Sequence, residues 1–352
     1  MRYKPDWPEA RERLRALWEG SLLDRPCIAV LAPSGGNVVE PRLPAAIEDY
    51  WLRPDWLVPS ALARLENTWW GGEAVPSVLL MSGWIVSLGG KPRFSMDTIW
   101  FDTFSVDLGG PSPFRYDPDD AWSKKHEAAY MALVDAAGKD DFLVGQPCLL
   151  PANDLLSMHM GTDAFLLALV EHPDWMREAI ARGARDLLRA RLGLRDLILD
   201  RHEFWYGNAG WMPFWAPEPY MATQSDVSCM LSPRMFDAFV LPELEVYGNE
   251  FGALWYHLDG GNARQHLPRL LLLPYVRVIQ YTPAPGEPPN GPAHLDFYRE
   301  IQEAGKIVHI DLPKENIEPL VRRLDPALLM LQTGCGSIDE GQSLLDSARR
   351  WI

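Results

Sequence analysis

Runs of lysine or arginine are absent from this chain of 352 residues, and their absence excludes several classes of partner. Acidic side chains outnumber basic ones by 48 to 33, which gives a formal net charge of −15. A surface of that sign repels phosphate groups, so we expect neither nucleic acid nor an anionic membrane surface as a partner. A small molecule is the expected substrate.

Signals for secretion and for membrane insertion are missing as well. The first six residues are polar, and no apolar run is long enough to cross a bilayer. Four cysteines occur far apart and form no CxxC pair: Cys27, Cys148, Cys229 and Cys335. We therefore expect a cytoplasmic protein in which the first three are reduced thiols.

Motifs for nucleotide binding and for serine hydrolysis are also lacking. The glycine pairs at 35–36 and 109–110 match no phosphate-loop spacing. No Gly-x-Ser-x-Gly sequence occurs, which argues against an α/β-hydrolase site.

The C-terminal part of the chain alternates apolar runs of strand length with amphipathic helical stretches. The predicted strands are 253–256, 276–281, 307–310 and 328–332, and the predicted helices are 263–272, 293–304, 314–324 and 338–351. Continuously apolar strands that alternate with helices are typical of parallel strands buried on both faces.

Four further strand candidates precede this part, at 26–32, 56–59, 142–148 and 220–227. The total of eight strands predicts a (β/α)8 TIM barrel. A helix over 8–19 adds an N-terminal helical extension, and the glycine-containing stretch 75–105 predicts an inserted β-hairpin layer. Because no flexible linker interrupts the chain, we expect one domain over residues 1–352.

Polar side chains stand where predicted strands end, and three of them have the chemistry of metal ligands. His257 and Asp259 end one strand, and Cys335 follows another. Imidazole, carboxylate and thiolate are all ligands of Zn2+. The alternative is that His257 and Asp259, which alternation places on one face, only bond each other and line a pocket.

Two other polar residues are candidate catalytic groups. Asp226 ends a predicted strand and could act as a general base, or it could accept backbone N–H groups of the next loop. His309 lies within a predicted strand and is either an acid–base group or a satisfied core histidine.

An aromatic stretch precedes Asp226 and includes Trp211 and Trp215. These indoles are candidates for binding a cofactor or a flat or methylated cationic substrate. The alternative is that they pack a long loop on the rim of the barrel or at a dimer contact.

Several segments resemble the uroporphyrinogen decarboxylase superfamily. Residues 224–236 and 239–242 match its strand, Ser-Pro and helix running into Leu-Pro, and 257–260 matches its strand ending in His and Gly. Residues 173–176 resemble its Pro-Glu helix start. The resemblance implies a (β/α)8 barrel, in agreement with the strand count.

Two chemistries occur in that superfamily. The arginine-rich entrance motif of the true decarboxylases is absent, since residues 32–37 read Ala-Pro-Ser-Gly-Gly-Asn. The corrinoid-dependent methyltransferase branch holds zinc through a His-x-Cys pair and a distant Cys. Here His257, Asp259 and Cys335 correspond, with Asp259 in the place of the first cysteine.

The resemblance therefore implies a zinc-assisted, corrinoid-dependent methyltransferase that activates a thiol or a small methylated substrate. A corrinoid protein is an implied partner, and a homodimer is an implied assembly. Two alternatives stay open. One is a cofactor-independent decarboxylase in which Asp226 and His257 carry protons, and the other is a non-catalytic tetrapyrrole-binding protein.

Overall fold

Parallel strand pairing dominates the computed structural model, which describes residues 1–86, 90–199, 212 and 214–352. Seven strands form one sheet in the order β2-β1-β11-β10-β9-β8-β7. Their bounds are β1 Cys27–Pro33, β2 Thr68–Gly72, β7 Met221–Gln224, β8 Leu254–Asp259, β9 Val276–Thr282, β10 Ile307–Asp311 and β11 Leu329–Gly334. Every neighbouring pair is parallel except β1 with β2.

Four short strands pair outside this sheet. β3 (Ser77–Val78) and β6 (Leu143–Val144) form a parallel pair. β4 (Pro92–Phe94) and β5 (Ile99–Phe101) form an antiparallel hairpin, as predicted for the inserted layer. In the described part of the chain, the backbone ladder does not close into a ring.

Helices alternate with the strands. In the first half they are α1 Trp7–Trp18, α2 Ile47–Leu52, α3 Pro54–Asn67, α4 Ala121–Ala137, α5 Ala152–Met160, α6 Thr162–Glu171 and α7 Pro173–Leu199. In the second half they are α8 Pro233–Phe239, α9 Leu241–Phe251, α10 Gly260–Ala263, α11 Leu267–Leu271, α12 Leu295–Glu303, α13 Ile317–Val321 and α14 Ile338–Ala348. None of the helices described combines the length and apolarity needed to cross a membrane.

The predicted α/β alternation is confirmed, but the strand predicted at 56–59 is wrong. These residues lie inside helix α3, which begins at Pro54. Proline suits the first helical position, because its missing N–H would have no partner there. Trp56, Ala63 and Leu65 are buried on α3, so a helical period better explains the apolar residues.

Side chains along the parallel strands alternate between two cores. Ile28 and Val30 on β1 pack in the core that contains residues of the surrounding helices. Ala29, between them, belongs to a second core shared with Trp255 and with Trp18 of α1. This division follows from the two-residue period of a strand, and it sends alternate residues of β7 to β11 toward the second core.

Helix α1 packs at the amino ends of the strands. The carbonyl of Trp18 accepts a 2.7 Å hydrogen bond from Arg277, the second residue of β9. The Trp18 ring also contacts Tyr220, just before β7, at a centroid distance of 6.2 Å. The opposite, carboxyl ends of the strands are not covered by α1.

A buried ion pair joins β1 to the end of β2. Both Glu73 oxygens accept from Arg25, at 2.5 and 2.9 Å, and one also accepts the Ile28 N–H at 2.8 Å. Glu73 and Arg25 are 0% and 3% exposed. Removing Glu73 would leave Arg25 as an unpaired charge in a site closed to water.

We expect Glu73→Ala to lower the free energy of unfolding by about 3–5 kcal/mol, because Arg25 would then be buried without a counter-charge. Glu318→Ala is the matched control, since Glu318 pairs with Arg322 on an exposed helix face and should cost under about 1 kcal/mol. Urea denaturation of both variants measures the difference. Equal losses would contradict the structural role assigned to Glu73.

A second prediction concerns His126, which is fully buried on α4. Burial lowers the pKa of its imidazole from an ordinary 6.5 to about 4. Between these two pH values, His126 is therefore protonated in the unfolded chain and neutral in the folded protein. The contribution of neutral His126 is complete above pH 6.5 and is lost as the pH falls toward 4.

Relative to His126→Phe, the wild type should lose about 1.4 kcal/mol of stability per pH unit over this interval. Chemical denaturation of both proteins between pH 4 and 8 tests this. A pH-independent difference would show that His126 does not titrate with folding.

Candidate functional site

The carboxyl ends of β7, β8 and β9 bring a set of polar side chains together. Gln224 on β7 is in register with His257 on β8, and His257 is in register with Gln280 on β9. Strand alternation places Asp259, the last residue of β8, on the same face as His257. The strand predicted over 220–227 ends at Gln224, and Asp226 reaches the site as the first residue of the 3₁₀ turn Asp226–Met230. The site is thus built where parallel strands end.

Asp226, His257 and Asp259 form a group that could hold a metal ion. One ligand atom of each lies within 4.8 Å of the others. The Nε2 atom of His257 is 3.9 Å from Oδ1 of Asp259. Ligands bound to one zinc ion stand about 3–4 Å apart, so small side-chain rotations would bring these atoms into coordination.

Amide side chains orient two members of this trio. Gln280 donates from Nε2 to Thr282 Oγ1 at 3.1 Å, so its Oε1 faces Nδ1 of His257 and accepts a hydrogen bond there. His257 therefore carries its proton on Nδ1, and its Nε2 lone pair is directed toward Asp259. Gln224 likewise donates to Oδ2 of Asp226 at 2.7 Å.

Asp154 on α5 fixes the backbone at Asp226. Its two carboxylate oxygens accept the N–H groups of Asp226 and Val227, both at 3.0 Å. The amino end of α5 is held in turn by Glu243 of α9, which accepts the Ala152 N–H at 2.6 Å. Asp154 thus ties α5 to the loop that carries Asp226, and Glu243 ties the start of α5 to α9.

Negative charge accumulates at this site. Burial and the charge of Asp226 raise the pKa of Asp154, and burial and the charge of Asp259 raise the pKa of Asp226. Burial lowers the pKa of His257, against the opposing effects of Gln280 and Asp259, so its imidazole is neutral. Among the residues that the structure describes, no lysine or arginine forms an ion pair with Asp154, Asp226 or Asp259.

The donor set of the trio fits a divalent cation. Zn2+ binds imidazole nitrogen and carboxylate oxygen, and a second-shell partner on the other ring nitrogen is the usual arrangement for a histidine ligand. Two carboxylates and one imidazole would also suit other first-row divalent ions. A cation would offset the repulsion that otherwise raises the pKa values of Asp154 and Asp226.

A cavity of about 350 Å³ opens beside Asp226. Its described walls come from α5, from the β4–β5 hairpin and from the 3₁₀ turns Met81–Val86 and Asp226–Met230. The described lining residues are Trp84, Thr98, Trp100, Leu150, Asp154, Ser157, Met158, Thr162, Asp226, Val227 and Met230. The inserted hairpin therefore forms one wall of the site.

Cys335 stands apart from the trio. It follows β11, and its N–H donates to the Leu31 carbonyl at 2.8 Å. Burial and the charge of Glu340 raise the pKa of its thiol, while Lys314 opposes them. The structure thus brings together two of the three residues predicted as metal ligands, with Asp226 in the third position.

His309 lies on β10 and is fully buried. Its Nδ1 accepts a 2.9 Å hydrogen bond from Nε1 of Trp255, and the Trp255 ring is stacked against His257 at 6.5 Å. Burial lowers the pKa of His309 to about 3. Among the described residues, His309 neighbours the trio through Trp255 and through Gln280, with which it is in register, but it does not belong to the metal-ligand group.

The two aromatic candidates lie elsewhere. Trp211 is outside the described residues. Trp215 is 5% exposed and packs edge-on against Trp7 of α1 at a centroid distance of 5.6 Å. Its indole belongs to the core near the amino ends of the strands and is not among the described residues that line the cavity.

Sequence reasoning assigned no role to three residues that shape the site, Asp154, Gln224 and Gln280. Both glutamines stand in strands two residues before another polar residue, Asp226 and Thr282. This two-residue spacing of polar residues in a strand could have identified both glutamines. No sequence pattern marks Asp154, because only tertiary packing places α5 against the loop after β7.

The hydrogen bond from His257 to Gln280 makes a testable prediction about the tautomer. Nitrogen-15 NMR at pH 7.5 should show His257 protonated on Nδ1 and unprotonated on Nε2, because Gln280 can accept only on Nδ1. Gln280→Leu, which keeps side-chain volume, should shift the tautomer ratio. His309 is the internal control, since Trp255 fixes it in the opposite tautomer, with the proton on Nε2. Observation of the Nε2–H tautomer at His257 would contradict the geometry.

Comparison with known proteins finds a likeness in structure only. No protein-family model matches the chain, and no curated protein matches it. Among solved structures, a methyltransferase from Methanosarcina mazei is similar, with a TM-score of 0.58 and 14% sequence identity over 97% of this chain and 98% of that chain. At this identity the likeness concerns the fold, which the two proteins share over nearly their whole lengths.

Proposed function

We propose that this protein is a zinc-assisted methyltransferase whose metal is held by Asp226, His257 and Asp259. The observation that carries the proposal is the convergence of their three ligand atoms at the carboxyl ends of β7 and β8. The shared fold with a methyltransferase supports the reaction class. A corrinoid, carried by a partner protein, is the proposed methyl carrier.

We also infer that the eight strands β1, β3 and β6 to β11 are arranged as a (β/α)8 barrel. Gln146, just after β6, supports this arrangement by bridging to the start of β7. Its Nε2 donates to the Tyr220 carbonyl at 3.0 Å, and its Oε1 accepts the Ala222 N–H at 3.2 Å. Catalytic residues of such barrels lie at the carboxyl ends of strands, which is where the trio stands.

The chain's own residues have separable tasks in this proposal. Gln280 keeps the proton of His257 on Nδ1, and Gln224 orients the Asp226 carboxylate. Asp154 holds the backbone of Asp226 in place. A bound divalent cation would supply Lewis acidity, which favours loss of a proton from a thiol or polarises a small substrate. The cavity beside Asp226 gives the substrate its approach.

A ligand set of two carboxylates and one imidazole differs from a thiolate-rich set. Carboxylate oxygen donates less electron density than thiolate sulfur, so the ion would remain a stronger Lewis acid. This favours polarising a substrate or deprotonating a thiol over making an already bound thiolate more nucleophilic. The exchange of Cys335 for Asp226 as third ligand is therefore part of the proposal.

The charge of the cavity argues against a porphyrinogen-like substrate. A molecule with several carboxylates needs cationic partners. The lining residues that the structure describes include no lysine or arginine, and they include Asp154 and Asp226. Methyl transfer to or from a substrate without carboxylates fits the described cavity better than decarboxylation does.

Zinc binding tests the ligand assignment. Titration of the chelator-treated protein should give about one zinc per chain, and Asp226→Ala, His257→Ala and Asp259→Ala should each weaken binding by about 100-fold or more. Cys335→Ser is the matched control and should keep the wild-type affinity, because its sulfur is outside the trio. If Cys335→Ser loses zinc and Asp226→Ala does not, the third ligand is the cysteine. Absence of zinc binding would reject the site.

The reaction itself is tested with methylcobalamin and a small thiol, followed by the absorbance change on demethylation of the corrinoid. Zinc-loaded protein should catalyse transfer, chelated protein should not, and added zinc should restore it. Carbon dioxide release from a candidate acid by metal-free protein, without methyl transfer, would overturn the proposal in favour of a decarboxylase.

A further inference from the structure

The cavity beside Asp226 is lined by aromatic and apolar side chains that a metal site does not require. Two tryptophans, Trp84 and Trp100, and two methionines, Met158 and Met230, line it together with the carboxylates of Asp154 and Asp226. Trp100 and Met230 are 54% and 49% exposed, so large apolar side chains face solvent at its entrance. Exposed aromatic and methionine side chains around a cavity are a feature of ligand-binding surfaces.

The carboxylates of this region would carry more negative charge than a bound metal ion could neutralise. Asp154, Asp226 and Asp259 carry three negative charges when ionised, and a bound divalent cation would offset two of them. Within the part of the chain that the structure describes, no lysine or arginine lines the cavity or pairs with these carboxylates. One negative charge then remains in this cluster, two of whose carboxylates, Asp154 and Asp226, line the cavity together with the indoles.

We propose that this cavity binds a small organic cation that carries methyl groups, of the quaternary ammonium or sulfonium class. This inference rests on the proposed function and names the methylated substrate of the same site. Indole faces attract cations through the ring quadrupole, and a quaternary ammonium has no N–H, so it is recognised by such faces and by charge. Met158, Met230 and Leu150 offer apolar contacts for the methyl groups.

Other ligand classes fit the same walls less well. An anion would meet Asp154 and Asp226 without a described cationic partner. A neutral apolar ligand would displace water from these carboxylates and leave their charge uncompensated, which is costly. The volume of about 350 Å³ is at the low end for ligand pockets, so the bound group is small.

A methylated cation bound in this cavity could serve as the methyl donor. In transfer from a quaternary ammonium, the carbon–nitrogen bond breaks and its electron pair stays on nitrogen, so a neutral tertiary amine leaves. The methyl carbon bonds to a nucleophile that supplies both electrons of the new bond: either a thiolate sulfur, or the cobalt(I) of the corrinoid carrier in its reduced form, which is thereby oxidised to cobalt(III). Loss of charge on the leaving group would weaken its attraction to the acidic, aromatic walls and favour its release.

Isothermal titration of the zinc-loaded protein with choline and with 3,3-dimethylbutan-1-ol tests the inference. The two probes have the same shape, and only choline is charged. We expect choline to bind at least about 10-fold more tightly. Trp100→Leu should weaken choline binding by about 3- to 30-fold, the range of a cation–π contact. Because Trp100 is more than half exposed, its replacement leaves the core intact.

Trp351→Leu is the control for loss of a tryptophan, since Trp351 packs at the far C-terminal end of the chain and should leave choline affinity unchanged. Equal affinity for the two probes, absence of choline binding, or equal effects of the two tryptophan variants would each overturn the inference.

The zinc titration separates this inference from the proposed function. If the wild type binds one zinc and fails to bind choline, only the inference is rejected. If choline binds with the expected selectivity to a protein that takes up no zinc, the metal site is rejected and the cation site stands. Trp100→Leu should bind zinc like the wild type, because its indole is not in the trio.

Discussion

Electrostatic repulsion among Asp154, Asp226 and Asp259 is the constraint around which this site is arranged. Burial and mutual repulsion raise the pKa values of Asp154 and Asp226, which means that their ionised forms are disfavoured in the folded protein. The protein meets part of this cost with neutral donors, namely backbone N–H groups for Asp154 and the Gln224 amide for Asp226. Such donors stabilise charge without cancelling it, so the site keeps its attraction for a cation.

At the opposite end of the sheet, a buried carboxylate is stabilised by a cationic partner instead of by neutral donors. Glu73 is as deeply buried as Asp154, yet it receives Arg25 in a bidentate pair and a backbone N–H besides. That pair sits beside α1, where the amino ends of the strands are covered by tryptophan side chains. Charge is thus fully compensated at the covered end of the sheet and left uncompensated at the end that carries the cavity. This asymmetry distinguishes Glu73 from the carboxylates of the candidate site.

Strand register, together with the 3₁₀ turn that follows β7, explains why so few elements suffice to build the site. Gln224, His257 and Gln280 are in register across three parallel strands, and the residues two positions later are Asp226, Asp259 and Thr282. The first row supplies orienting side chains and a ligand, and the second supplies carboxylates at the rim. His309 on β10 is in register with Gln280, and Trp255 lies two residues before His257 on β8. Both are fully buried and joined by a hydrogen bond, so they give this polar layer a rigid base. The β4–β5 hairpin then adds Trp100 to the wall of the cavity from outside the sheet.

The sequence by itself determined the α/β class, most strands from β7 onward, the inserted hairpin and the position of His257 and Asp259 at a strand end. These features depend on local periodicity, which one chain displays directly. The prediction of a strand at 56–59 was wrong, because a short apolar run has no period that distinguishes a strand from part of a helix.

Tertiary structure alone decided which residues meet. Asp226 joins His257 and Asp259 because β7 lies beside β8, while Cys335 follows β11 beside β1, on the far side of β9 and β10 in the sheet. Asp154 reaches the site from a helix, through contacts between residues about seventy positions apart that no local pattern encodes. Spacing along a chain fixes the types of available ligands, but the distances among them depend on strand order and helix packing.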